Sequence, residues 1–150
     1  MKKKIAKSQI LDACMQKQEE LIKSFEDRVN VSKADAYDHE HSASQTENRT
    51  AGKVDLLRTF EKELGFVRME MEFLKSLNPE KINTAVEAGA VVITNRMNFF
   101  IAVSSEKIEV DGEMIFGMST KAPLYTAMQG MEKGKSFEFN GTEYEIEEVY

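Results

Sequence analysis

Apolar residues recur along the first half of the chain with the spacing of a coiled-coil seam. Leu11, Met15, Gln18, Ile22, Phe25 and Val29 step by four, three, four, three and four, with Gln18 as the polar member. Leu57, Phe60, Leu64, Val67, Met71 and Leu74 step by three, four, three, four and three. Two seams of equal length on either side of a polar segment predict an antiparallel helical hairpin. Each arm would run about 45 Å, from roughly thirty residues rising 1.5 Å each. Asn78-Pro79 ends the second arm, because the residue before proline is pushed out of the helical region. Gly65 lies within the second seam, where glycine costs about 1 kcal/mol relative to alanine; close packing is the reason the pattern suggests. A hairpin this long and thin has little core of its own and needs a base.

The second half supplies one. Residues 78–88 read as a linker, and from Gly89 the period changes to that of strands. "AVVIT" and "NFFIAVSS" are rich in branched and aromatic residues and are joined across Asn95-Arg96. "KIEV" runs into Asp111-Gly112, a tight-turn signal, and on into "EMIFGMS"; "KSFEF", Asn140-Gly141 and "TEYEIEEV" form a second hairpin. Between them "APLYTAMQGM" carries a short helical pattern, with Pro123 suited to the first turn. The order predicts an α+β chain: a helical hairpin over 1–77 with its tip near 35–48, then over 89–150 a small antiparallel sheet with one short helix on a face.

Composition narrows the class. The chain has 150 residues and a net charge of -6, which argues against binding duplex DNA. One cysteine, Cys14, excludes a disulfide framework within the chain. No run of eighteen apolar residues is present, and the basic start "MKKKIAKSQI" has no apolar core after it, so the expected setting is cytoplasmic. Lys2, Lys3, Lys4 and Lys7 read as a solvated terminus.

The polar segment "KADAYDHEHSASQTEN" holds Asp35, Asp38, Glu40 and Glu47 and both histidines, His39 and His41. A solvated loop is the ordinary reading of such a connection. A dedicated transition-metal site at Asp38, His39, Glu40 and His41 matches none of the common zinc spacings. No Ser/His/Asp order and no phosphate-cradling glycine loop points to an autonomous enzyme.

The stretch "APLYTAMQGMEKGKSFEFNGTEYEIEEV", together with the hairpin ahead of it, resembles the bacterial Gre transcript-cleavage factors. Pro123, Gly130 and Gly134 fall at the spacings of that family's motif, and "EYEIEEV" is similar to its last strand. Ala122 stands where the family usually has serine, Met131 where it has lysine, and Lys135 where it has aspartate. The resemblance implies a coiled-coil hairpin on an FKBP-like domain. It also implies an accessory role rather than enzyme activity: the factor binds RNA polymerase, puts its hairpin into the secondary channel, and completes the active centre for cleavage of backtracked RNA. Pro123, Leu124 and Gly130 would then belong to the docking domain's contact with polymerase. The tip acids would help hold a second Mg2+ shared with polymerase and orient the attacking water, since two metals near 4 Å apart clamp an in-line phosphoryl displacement.

The family's tip pairs an aspartate with a glutamate-asparagine. Two registers meet that pattern in part. Glu47-Asn48 matches the latter half, with Ser44 at the aspartate position; alternatively Asp35 and Asp38 supply an i, i+3 acid pair that would hold the ion. Glu40 stands near both. Arg28, Lys33, Arg49 and Lys53 flank the tip and would contact the nascent RNA 3′ segment through its phosphates, or else are ordinary exposed helix charge. A non-cleaving polymerase regulator in the same channel is the second reading, and a hairpin adaptor or chaperone-like module with another partner is the third. A monomer without sequence-specific DNA binding is expected in each case.

Overall fold

Two long helices come first in the computed structural model, which describes residues 4–36 and 43–150, the stretch 43–50 by its backbone alone. Helix α1 runs Lys7–Ala36 and α2 Ala43–Ser76. They are followed by β1 (Val91–Thr94), β2 (Asn98–Ala102), β3 (Ser105–Val110), β4 (Glu113–Ser119), α3 (Pro123–Met128), β5 (Ser136–Phe139) and β6 (Thr142–Val149). The chain is α+β. By compactness it divides into two units, Gln18–Glu72 and the combination of Met1–Lys17 with Phe73–Tyr150.

In the Gln18–Glu72 unit the two seams meet. Val29, Ala36, Leu57, Leu64 and Val67 form its buried cluster, with Ile22, Phe25, Val54 and Phe60 half-buried against it. Contacts run antiparallel, from Gln18 beside Val67 at one end to Asp35 beside Lys53 at the other. Gln18 is buried at a seam position, where an unpaired amide would be costly. Its Nε2 donates to the Val67 carbonyl at 2.9 Å and to Glu70 Oε1 at 3.2 Å, which fixes one register of the helices. Burial pushes the Glu70 carboxyl above its ordinary value of 4.5, with the Gln18 hydrogen bond opposing. Gly65 is exposed, and a Cβ there would meet nothing within 4 Å. Close packing therefore does not account for this glycine.

In the other unit a six-stranded sheet has the order β3-β4-β2-β1-β6-β5. The pairings β1–β2, β1–β6, β3–β4 and β5–β6 are antiparallel as expected, but β2 and β4 run parallel. The β3–β4 hairpin turns back so that β4, not β3, lies beside β2, and Phe99 and Ile101 come level with Phe116 and Met118. That return brings residues 103–105 hard against β4. A Cβ on Gly117 would collide with Ser105 Oγ and with the Val103 carbonyl oxygen at 2.5 Å. Both tight turns form as read: Asp111 and Gly112 have φ of 52° and 79°, Asn140 and Gly141 51° and 76°. Gly130, after α3, has φ of 77°.

One face of the sheet packs on α3, through Val92, Phe99, Ile101, Met118, Phe137 and Ile146 against Tyr125 and Met128. Val91, Ile93 and Phe100 alternate to the opposite face and are buried as well. Ile5, Ile10, Leu11, Cys14, Leu74, Ile108, Val110 and Ile115 are among the unit's other buried apolar residues. Most of the stretch 78–88 is exposed, and a few of its residues anchor it to the unit. Asn83 and Val86 are buried, Val86 donates its N–H to the Met131 carbonyl at 2.9 Å, and Ala85 bridges to Glu132. Lys7 departs from the solvated terminus expected of it. It is buried, and its Nζ donates to the Lys81 carbonyl and to Asn83 Oδ1, both at 2.7 Å.

Gly117 and Gly65 respond oppositely to a methyl group. Gly117→Ala lowers stability by about 1–3 kcal/mol through overpacking, and Gly65→Ala raises it by up to about 1 kcal/mol through helix propensity. Denaturant unfolding followed by circular dichroism separates them, and equal signs for the two would contradict the packing described. Glu70→Gln keeps the acceptor for Gln18 and removes a charge whose folded-state pKa is raised. The raised pKa makes the ionised group unfavourable to folding above that value, and the cost fades as pH falls through it toward 4.5. The substitution is accordingly stabilising near neutral pH, with a gain that vanishes in acid; a gain that grew in acid would refute the assignment.

Candidate functional site

The end of the hairpin is built by the last turn of α1 and the first turns of α2. Ala36 is the last buried residue of α1, so the seam continues to the final described turn. Asp35, one position before it, leaves the seam on the flank and is exposed. Its Oδ1 accepts from Lys53 Nζ at 3.1 Å, the two side chains being 61% and 36% exposed. A candidate metal-binding acid and a candidate RNA-binding cation are thus each other's partners. Asp38, His39, Glu40 and His41 lie outside the described residues. Glu47 and Arg49 lie on α2, and their side chains are likewise outside the description. Among the described residues no group of three or more His, Cys, Asp or Glu is placed to hold a metal ion.

The flanking cations divide between the two sides of the seam. Arg28 and Asp35 are seven residues apart and share one flank of α1. The Arg28 guanidinium lies 4.9 Å from the centre of the Phe25 ring. Lys33 shares the opposite flank with Glu26, where both line a shallow groove of about 300 Å³ together with Val29, Asn30, Glu61, Leu64 and Arg68. Arg68 and Glu26 approach to 3.8 Å across it. The geometry therefore does not gather Arg28, Lys33 and Lys53 into one basic patch. It makes a hairpin end of mixed charge.

Near α3, Pro123 is the first helical residue and is exposed, while Leu124 is half-buried against the core. Gly130 is exposed and donates its N–H to the Val86 carbonyl at 2.9 Å. Pro123 and Gly130 mark the two ends of α3 on the surface, and Leu124 has a packing role. Cys14 is buried, and burial pushes its thiol up to about 12, which leaves no reactive thiolate.

Sequence reasoning missed the polar cluster around Lys7. Asn83 Nδ2 donates to Glu87 Oε1 at 2.6 Å while Asn83 Oδ1 accepts from Lys7, so one amide joins an ammonium to a carboxylate. Burial lowers the Lys7 pKa, the charge of Lys81 lowers it further, and Glu87 opposes. The signal was present: Lys7 is on the stripe Lys7, Leu11, Cys14 and Gln18, at the spacing of the buried face.

No family model matches the chain, and no curated protein does. Among solved structures it is similar to GreA factor homolog 1 (Gfh1) of Thermus thermophilus, at 13% identity and a TM-score of 0.34, over 93% of this chain and 92% of that one. A second structure, of the transcription factor Gfh1, gives 15% identity and a TM-score of 0.33, over 92% and 94%. Likeness of this degree says nothing of activity. No helix among the described residues is long and apolar enough to cross a membrane.

The Asp35–Lys53 pair is exposed, and exposed pairs contribute about 0.2–1 kcal/mol. A double-mutant cycle with Asp35→Asn and Lys53→Met should return a coupling in that range that shrinks as salt is raised. A coupling above about 2 kcal/mol would mean a desolvated pair and would contradict the exposure seen.

Proposed function

We propose that this protein is a Gre-like regulator of RNA polymerase that enters the secondary channel with its helical hairpin and stimulates cleavage of backtracked RNA. The observation that carries the reading is the hairpin itself: two long helices, held along matched seams to the last described turn of α1, that lead into the acid-rich segment 35–48. A narrow two-helix rod suits a channel, and carboxylates carried at its end, of which Asp35 is exposed, suit delivery to a phosphoryl-transfer centre. The likeness of "APLYTAMQGMEKGKSFEFNGTEYEIEEV" to the Gre motif supports the same reading, with RNA polymerase as partner and Mg2+ held jointly with it. In this role the protein is an accessory factor, with Asp35, Asp38, Glu40 or Glu47 as the donated acids.

A specific observation favours the non-cleaving alternative. Lys53 pairs with Asp35, so Asp35 gives up an ion pair worth about 0.2–1 kcal/mol before it can ligate a cation. In that reading the hairpin occupies the channel and alters pausing or initiation without donating two acids.

Backtracked polymerase complexes carrying labelled RNA, supplied with Mg2+ and this protein, test both. The leading reading expects shortened RNA, with at least a tenfold loss (on the order of 1.4 kcal/mol) in an Asp35→Ala/Asp38→Ala variant or in Glu47→Ala, whichever register is used. Binding to polymerase with full-length RNA would select the non-cleaving reading, and absence of binding would end both.

A further inference from the structure

The sheet ends on β5, which pairs with β6 on one side and with no described strand on the other. The phase of its hydrogen bonds follows from the loop. Asn140-Gly141 is a two-residue connection, so Phe139 and Thr142 are the first pair to exchange hydrogen bonds. Ile146 donates its N–H to the Lys135 carbonyl at 2.8 Å, in the same phase at the other end of β5. The Lys135 carbonyl, Phe137 and Phe139 therefore bond inward, and the N–H and C=O groups of Ser136 and Glu138 are directed out of the sheet. An edge of this kind is a template for another strand.

The side chains select the strand. Glu138 lies directly opposite Glu143, in a non-hydrogen-bonded pair, where side chains come closest. Like charges in that relation oppose pairing. Glu145, two residues on from Glu143, shares its face and lies opposite Ser136. All three glutamates are exposed. The other face of β5 is occupied: Phe137 is buried in the core and stacks on Tyr144, with ring centres 5.0 Å apart. Of the nearby cations, Lys133 is held by Glu148 at 2.8 Å, and Arg96 donates its Nε to the Glu143 carbonyl at 2.7 Å. The edge thus combines outward donors and acceptors with a repulsion that a cation would relieve.

We propose that the β5 edge takes up an extended peptide segment with Lys or Arg at alternate positions, as an added antiparallel or parallel strand. Alternation puts every second side chain of such a segment on the face of Glu138. Long basic side chains meet Glu138 directly and reach Glu143 across one further strand spacing, about 4.8 Å. The site is formed by β5 and β6 alone and is independent of the hairpin's role.

The test uses the whole protein and a labelled peptide of about ten residues, near the length of a long strand, that alternates Lys with Val or Thr. Fluorescence anisotropy should show saturable binding, and amide shifts in NMR should centre on Ser136 and Glu138. An alternating Glu peptide and a Lys peptide with a central proline should each bind at least about tenfold more weakly. On the protein, Ser136→Pro removes an outward N–H at the start of the strand, where proline is tolerated, and should block binding, provided its circular dichroism is native. Glu138→Gln should lower affinity about threefold or more while raising the thermal midpoint, because it relieves the pair with Glu143; a merely structural Glu138 would change the midpoint and leave affinity alone. No saturable binding, equal binding of the proline peptide, or full affinity in Glu138→Gln would each overturn the proposal.

Discussion

The seam between α1 and α2 is the constraint on which the candidate function depends. Among the described residues of Gln18–Glu72 the two helices pack only on each other, so the apolar stripe is the main source of stability. The stripe is narrow, and Ile22, Phe25 and Phe60 are only half-buried. Buried Gln18 adds register where a leucine would add more burial, since its amide is satisfied in one alignment, against Val67 and Glu70. One consequence is the approach of Asp35 and Lys53 at the far end of the same alignment. Which acids and cations face each other beyond the seam is set by an amide some seventeen residues earlier (about 25 Å along the helix).

The two units solve different problems. The hairpin keeps its polar surface on an extended rod, and the sheet unit buries both faces of its central strands. In the sheet unit the first turns of α1 and the last turns of α2 contribute Ile10, Leu11, Cys14 and Leu74 to the buried set. Lys7 lies on that stripe too and is compensated by the Lys81 backbone carbonyl, Asn83 Oδ1 and the charge of Glu87, against the charge of Lys81. Tyr150 closes the same region, with its hydroxyl donating to the Ile5 carbonyl at 2.7 Å and accepting from the Ile5 N–H at 3.0 Å. Ile5 and Tyr150 are therefore tied to one another within one unit.

Features that depend on local chemistry were legible in the sequence. The heptad steps, Asp111-Gly112, Asn140-Gly141 and Pro123 each state a backbone requirement within a few residues, and each is met. Features that depend on distant partners were not. Nothing near β3 says that the hairpin following β2 will fold back to lay β4 parallel to it; Gly117 records that crossing only once Val103 and Ser105 are known to lie against it. Lys7 misled for the same reason, because its burial depends on Lys81 and Asn83 far along the chain. At the candidate site the sequence placed Asp35 and Lys53 near one tip, but their mutual neutralisation depends on helix register. It also grouped Arg28 with Lys33, which the helical twist sends to opposite flanks.

The central claim is that the hairpin end reaches the polymerase active centre. Replacing the active-centre Mg2+ of RNA polymerase with Fe2+ and generating hydroxyl radicals there maps what lies close to the metal. The account predicts cleavage of this protein's backbone within residues 35–48, lost when the hairpin is shortened by whole heptads from both arms. Cleavage confined to the sheet unit, or no cleavage in a complex shown to have formed, would contradict it.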